Sequence, residues 1–347
     1  PKHIWEPILK DLESKPENAE AYQEEVPVGS GPFKFVAWKP SEEVKQKANI
    51  TRFISFVNKK HGLNLKSYDE LYDWSIDKIP DFWAAVWEGA EKTAERWLVD
   101  LTLNAPTSEA DVDVQISQVE DAITKGVEAL VVAPTDASAL NPTFDKAKAA
   151  GIPVLIIDSD TTWPDKLTFI GTDNKAGGKL AGEFICGEIP SGSEVAIITG
   201  HMSAQSIADR VHGAEEAFAA CGAKVVAELN GEHTREGGQA VMEDIITANP
   251  DVKAVFCAND NMALGAVEAL KAAGKLEDVI VVGFDANPDA AASILAGEMT
   301  ATIAQSPYNM GRFGVVYGLA AIQGNTIPTR IDTGTTLVTA ENAADYK

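Results

Sequence analysis

Phe256-Cys257-Ala258-Asn259-Asp260-Asn261-Met262-Ala263-Leu264-Gly265 decides how the rest of the chain is read. With Ala254 and Val255 before it, the segment opens as a short apolar run of strand length. It turns polar at Asn259 and Asp260, then spaces its apolar residues three and four apart. A strand that ends in hydrogen-bonding side chains and passes at once into a helix is half of a βαβ unit.

Working outward, the same switch recurs from Leu98 onward. The pattern predicts strands over 99–104, 129–133, 154–158, 194–199, 224–227, 254–258, 279–284 and 301–305. Helical periodicity covers 111–125, 174–188, 206–221, 239–248 and 262–273. Gly126, Gly151, Gly222 and Gly274 follow the helical stretches as C-terminal stops, and several starts carry Asp, Asn or Ser. The expected class is α/β, with parallel sheets and crossover helices.

Such sheets bind ligands beyond the carboxyl ends of their strands. Here those ends are polar: Asp158-Ser159-Asp160, Asn259-Asp260, Asp285 and Gln305. Helix capping explains any one of them equally well. Four in register point to a shared site.

Composition narrows the classes. The 347 residues are 45% hydrophobic, enough for two or three compact units. A formal net charge of −23 and a pI near 4.6 would repel phosphate backbones and anionic membrane surfaces, so nucleic acid is not an expected partner. The apolar stretches 127–133 and 152–157 are far shorter than the roughly 20 residues that cross a bilayer, and no membrane insertion is expected. No basic start, apolar run and small-residue cleavage site is visible, so composition does not give the compartment. Cys186, Cys221 and Cys257 lack C-x-x-C spacing, and an odd count leaves one thiol over; buried free thiols are the expected state. Gly177-Gly178-Lys179-Leu180 lacks Walker spacing, and G-x-S-x-G, H-E-x-x-H and G-x-G-x-x-G do not occur. No catalytic residue, cofactor or metal ligand is assigned; paired carboxylates leave hydrolysis as a distant option.

Four segments carry a resemblance: Val281-Val282-Gly283-Phe284-Asp285, Ala301-Thr302-Ile303-Ala304-Gln305, the stretch from Phe256 to Gly265 quoted above, and Ile170-Gly171-Thr172-Asp173-Asn174. Together they resemble the type 1 periplasmic sugar-binding proteins, the ribose-binding protein group, over about 79–347. The resemblance implies two similar α/β lobes, each a parallel sheet flanked by helices, joined by three hinge crossings near Thr172, Asn287 and Ser306. Lobe one would be 79–172 plus 306–334, and lobe two 173–305 plus 335–347.

By the same resemblance the ligand contacts fall on Phe82, Trp83, Asp158, Arg210, Asn259, Asp285 and Gln305. Vicinal hydroxyls donate and accept in fixed directions, so carboxylates accept from them, Arg210 donates, and the two amides do both. Aromatic rings match the C–H face of a sugar, although Phe82 and Trp83 would serve equally as core packing at a helix start. Two departures weaken the case for ribose itself. Ser159 stands where ribose-binding proteins carry an arginine, and His233 stands where many members carry a covering aromatic. Both join the candidate ligand set, His233 because neutral imidazole stacks and hydrogen-bonds, with an ordinary loop position as the competing reading. A hexose, a polyol, a cyclitol or a furanosyl compound fits the same residues.

The chain before Ile79 resembles other things. Residues 1–44, through the stretch from Pro27 to Pro40, resemble part of a peptide-binding solute receptor. Residues 50–87, from Arg52-Phe53-Ile54 through Tyr68-Asp69-Glu70-Leu71-Tyr72-Asp73-Trp74-Ser75, resemble the start of acyl-CoA synthetases. The segment from Glu70 to Lys78 shows no strand alternation where the sugar-receptor fold should begin, so residues 1–78 read as a composite segment.

The resemblance implies a monomeric periplasmic or extracellular receptor that performs no chemistry. It would deliver a sugar-like solute to an ABC transporter permease and serve a chemoreceptor or sensor. The alternatives are the inducer-binding core of a lactose-repressor-type regulator, which would need a basic DNA-reading helix-turn-helix, and an enzyme acting on acyl substrates.

Overall fold

The computed structural model describes residues 81–106 and 110–347. The readings made on residues 1–78, and the strand missing ahead of Ile79, lie outside the described residues. One compact unit comprises Asp81–Leu101 and Ala105–Lys347.

That unit holds two sheets. The first has the order β1 (Leu130–Val132), β2 (Val154–Ile157), β3 (Phe169–Gly171) and β9 (Arg330–Asp332), all parallel. The second runs β10 (Thr336–Val338), β8 (Ala301–Ala304), β7 (Ile280–Asp285), β6 (Ala254–Cys257), β4 (Glu194–Thr199) and β5 (Lys224–Asn230). It is parallel except where β10 pairs antiparallel with β8. Helices cover both faces of such sheets, which is why β2, β6 and β8 are buried at every position and read as unbroken apolar runs.

In the first lobe, α2 (Val112–Lys125) and α3 (Asn141–Ala149) close over Phe144, Ile156 and Trp163. On the opposite face, α1 (Asp81–Trp97) and α9 (Pro307–Ile322) cover Leu155, Ile157 and Ile170. In the second lobe, α4 (Asn174–Glu188), α5 (Gln205–Cys221), α6 (Arg235–Ala248), α7 (Asp260–Ala272) and α8 (Pro288–Leu295) surround a larger core that contains Ile197, Phe218, Phe256 and Phe284.

Among the described residues the chain passes between the sheets three times: between Gly171 and Asn174, between Ala304 and Pro307, and between Asp332 and Thr336. The expected crossing near Asn287 is not one of them. Asn287 is the N-cap of α8, with Pro288 at the first helical position, and β7, α8 and β8 all stay in the second lobe. Where the resemblance implied a crossing, the segment starts a helix.

Two further expectations are corrected. Residues 99–104 form no strand. Alternating Val99, Leu101 and Leu103 suggest one, but alternation does not supply backbone partners, and among the described residues no strand pairs with this segment. The cysteines are not all free thiols: Cys186 and Cys221 form a disulfide with Cα atoms 6.1 Å apart, and Cys257 is the buried free thiol. The cause is the close pairing of α4 with α5. A Cβ at Gly178 would lie 1.9 Å from the Arg210 carbonyl oxygen, so only glycine lets the two backbones meet. That approach brings together two cysteines 35 residues apart.

Candidate functional site

Arg210 is the centre of the site. It lies on α5 and is only 4% exposed, so every donor it turns inward needs a partner. Nε donates to Asn174 Oδ1 at 2.9 Å, and Nη1 donates to the Ala258 carbonyl at 2.9 Å. Nη1 also lies 3.5 Å from Asp285 Oδ1, and the guanidinium sits 3.9 Å from the Phe284 ring centroid.

The network spreads from these partners to the strand ends. Asp285 Oδ1 accepts from Gln305 Nε2 at 2.6 Å, tying the end of β7 to the crossing after β8. Gln305 Oε1 is buried and has no hydrogen-bond partner among the described residues, leaving an acceptor for a guest hydroxyl. Asn174 Nδ2 lies 3.4 Å from the carbonyls of both Asp158 and Thr172, so the first residues of α4 reach the strand end of the other lobe. Asn259 shows that capping and site need not compete. Its Oδ1 accepts from Met262 N at 2.9 Å as the N-cap of α7, while its Nδ2 donates to the His233 carbonyl at 3.3 Å.

His233 Nε2 accepts from the backbone N–H of His201 at 2.8 Å, which leaves the ring proton on Nδ1. The two imidazoles are 4.9 Å apart, and His201 Nε2 is 3.4 Å from Glu232. Burial, then the neighbouring His201 and Arg210, lowers the His233 pKa to about 4, so the ring is neutral near pH 7.

Ser159 acts across the gap. Its Oγ accepts from the Ser206 backbone N–H at 3.3 Å, and nearby Ala137 N donates to the Ser203 carbonyl at 3.0 Å. Both bonds join the lobes in a closed arrangement.

Asp158, His233 and Asp285 have positive φ values of 59°, 58° and 117°. Asp and His tolerate the left-handed region, but φ near 117° is a conformation few residues other than glycine adopt. Strained backbone at three candidate residues is typical of ligand clamps.

Seven of the nine candidates, Asp158, Ser159, Arg210, His233, Asn259, Asp285 and Gln305, thus lie in one neighbourhood linked through side chains and α5. Phe82 and Trp83 belong instead to the apolar cluster that contains Ile157, the residue before Asp158. They occupy the first turn of α1, 5.2 Å apart and edge to face, and pack on the core formed by Leu155, Ile157 and Ile170. Sequence reasoning missed Asn174 and Ser206 as members, and it read the fully buried Asp260 among the polar strand ends but not among the ligand contacts. Asn174 closes a quoted motif at a helix start. Among the described residues, no group of His, Cys, Asp and Glu could hold a metal ion, and no helix is long and apolar enough to cross a membrane.

A family model described as a periplasmic binding protein domain matches residues 74–326. The chain belongs to the periplasmic binding protein family. Similarity to individual members agrees: the ribose import binding protein of Salmonella typhimurium is 34% identical over 249 residues, covering 72% of this chain and 83% of that protein. An ABC transporter solute binding protein from Agrobacterium vitis, solved with bound D-fucose, matches with a TM-score of 0.72 and 31% identity, over 76% of this chain and 92% of that one. The Caulobacter myo-inositol binding protein, solved with myo-inositol, matches with a TM-score of 0.72 and 30% identity, over 77% and 91%. The parallel sheets flanked by helices in this periplasmic binding protein are therefore the type 1 architecture.

Proposed function

We propose that this protein captures a neutral, hydroxyl-rich solute, a sugar, polyol or cyclitol, between its lobes and presents it to an ABC importer outside the cytoplasmic membrane. The observation that carries the reading is the convergence of Arg210, Asp285 and Gln305 from one lobe and its hinge on the strand end that bears Asp158 in the other. In this reading Asp158 and Asp285 accept from hydroxyls, Gln305 Oε1 takes another, and Asn259 and Nδ1–H of His233 donate. Phe82 and Trp83 close the apolar side.

Arg210 sets the charge preference. Three of its five N–H donors hold Asn174, the Ala258 carbonyl and Asp285 in place, and the charge is already shared with Asp285, so the two Nη2 donors suit guest hydroxyls. A sugar phosphate or uronate would meet two carboxylates without an adequate counter-charge. The Salmonella and Agrobacterium relatives are transport proteins by name, and we assign no reaction to the site. The Cys186–Cys221 disulfide suits an oxidising compartment such as the periplasm.

The test is calorimetry and thermal denaturation with D-ribose, D-allose, D-fucose and myo-inositol. A ligand at a hundredfold its Kd adds about 2.7 kcal/mol and raises the Tm by several degrees. Failure of every neutral polyol to bind, together with binding of an anionic solute, would overturn the reading.

A further inference from the structure

Asp260 is fully buried at the first position of α7, where a partly exposed acid would serve the helix dipole equally well. Burying a carboxyl completely is costly and calls for another explanation. Oδ2 accepts from the backbone N–H of Asn287 at 2.7 Å, and Oδ1 accepts from Thr302 Oγ1 at 2.6 Å. Asn287 is two residues past Asp285, and Thr302 is three residues before Gln305.

The carboxyl therefore clamps the chain leaving β7 to the strand that leads to the second crossing. Its seat was made for it: Thr302 pairs in register with Gly283, and a Cβ at Gly283 would lie 2.3 Å from Asp260 Oδ1. Immediately before Asn287 lie Asp285 at φ 117° and Ala286 at φ 58°, a turn that persists only if its surroundings fix it. The Asn287 N–H bond supplies that restraint.

We infer that Asp260 is a positioning residue of the binding site, holding Asp285 and Gln305 in the geometry that receives the solute without touching the solute itself. This rests on the sugar-receptor reading for its consequence but not for its geometry. Asp260→Asn provides rescue by the conservative variant, because its carbonyl can still accept from Asn287 and its amide can donate to a rotated Thr302 hydroxyl. Asp260→Ala removes both bonds.

The experiment has two arms on the full chain. Amide hydrogen exchange reads the clamp without ligand: protection at Asn287 should fall at least about tenfold in Asp260→Ala and persist in Asp260→Asn. Calorimetry with D-ribose, D-allose and myo-inositol reads the site. Asp260→Ala should weaken whichever probe wild type binds by about tenfold or more, and Asp260→Asn by less than about threefold. A core truncation of similar stability loss, Val255→Ala, should leave affinity unchanged, which separates positioning from general weakening. If Asp260→Ala does not fold, Thr302→Val severs one arm of the clamp and should weaken binding by several-fold. Unchanged Asn287 protection in Asp260→Ala, or affinity that follows stability alike in Asp260→Ala and Val255→Ala, overturns the inference. If wild type binds no probe, the sugar reading falls, and amide exchange still decides the role of Asp260.

Discussion

Ser159 of the first lobe accepts a hydrogen bond from the backbone N–H of Ser206, the second residue of α5 in the other lobe, at 3.3 Å. Helix starts leave N–H groups unsatisfied, and Ala204 at the N-cap of α5 has no side-chain oxygen to offer. Closure of the lobes supplies from outside the cap that the helix lacks, on the helix that carries Arg210.

Ser159→Ala should therefore weaken ligand binding by about three- to tenfold, the worth of one hydrogen bond, with most of the loss in the dissociation rate. In an Ala204→Ser background, where the cap is local, the same change should cost little. Stopped-flow binding on the four proteins of this cycle checks both statements; equal losses in the two backgrounds would refute capping across the cleft.

Arg210→Met removes the common partner of Asn174, Ala258 and Asp285 and takes the guanidinium from beside the partly buried Asp285 carboxylate. A destabilisation of about 3–5 kcal/mol is expected, with loss of measurable binding. Arg210→Lys should fall between, because one ammonium cannot reproduce the directions of Nε and Nη1. Urea denaturation and calorimetry on the three proteins decide this.

His233 predicts an acid limb in the stability profile. Its folded pKa of about 4 lies below the ordinary 6.5, so the unfolded chain binds more protons between those values. Its contribution is complete above pH 6.5, is lost as pH falls toward 4, and changes no further below that. The ring is partly exposed, which limits the effect to on the order of 2 kcal/mol. His233→Gln, which can still accept from the His201 N–H, should flatten this limb in denaturation curves taken from pH 7 to 4.

Reduction of Cys186–Cys221 should lower stability by about 2–4 kcal/mol while leaving affinity nearly intact, since the bridge joins the ends of α4 and α5 away from Asn174 and Arg210. Denaturation with and without dithiothreitol, with Cys221→Ser as control, measures it. A large change in affinity would mean that the bridge also sets the orientation of Arg210.

The parallel α/β class and seven of the eight strand positions were legible in the residues, because strands buried on both faces must be written as short apolar runs and helices must carry their own period. The polar strand ends were legible for the same local reason. The segment 99–104 misled because alternation describes a face and not a neighbour. The crossing near Asn287 rested on the resemblance alone, and the residues there, a polar N-cap followed by proline, start α8 instead.

By itself the sequence determined which stretches become strands and helices and which of them end in hydrogen-bonding groups, since these depend on neighbours within a few residues. Tertiary structure alone decided that Cys186 meets Cys221, that Ser159 serves a helix in the opposite lobe, and that Asp260 lies between Asn287 and Thr302. Those partners are 27 to 47 residues apart, and contacts at that range depend on how closely the packed helices and strands approach.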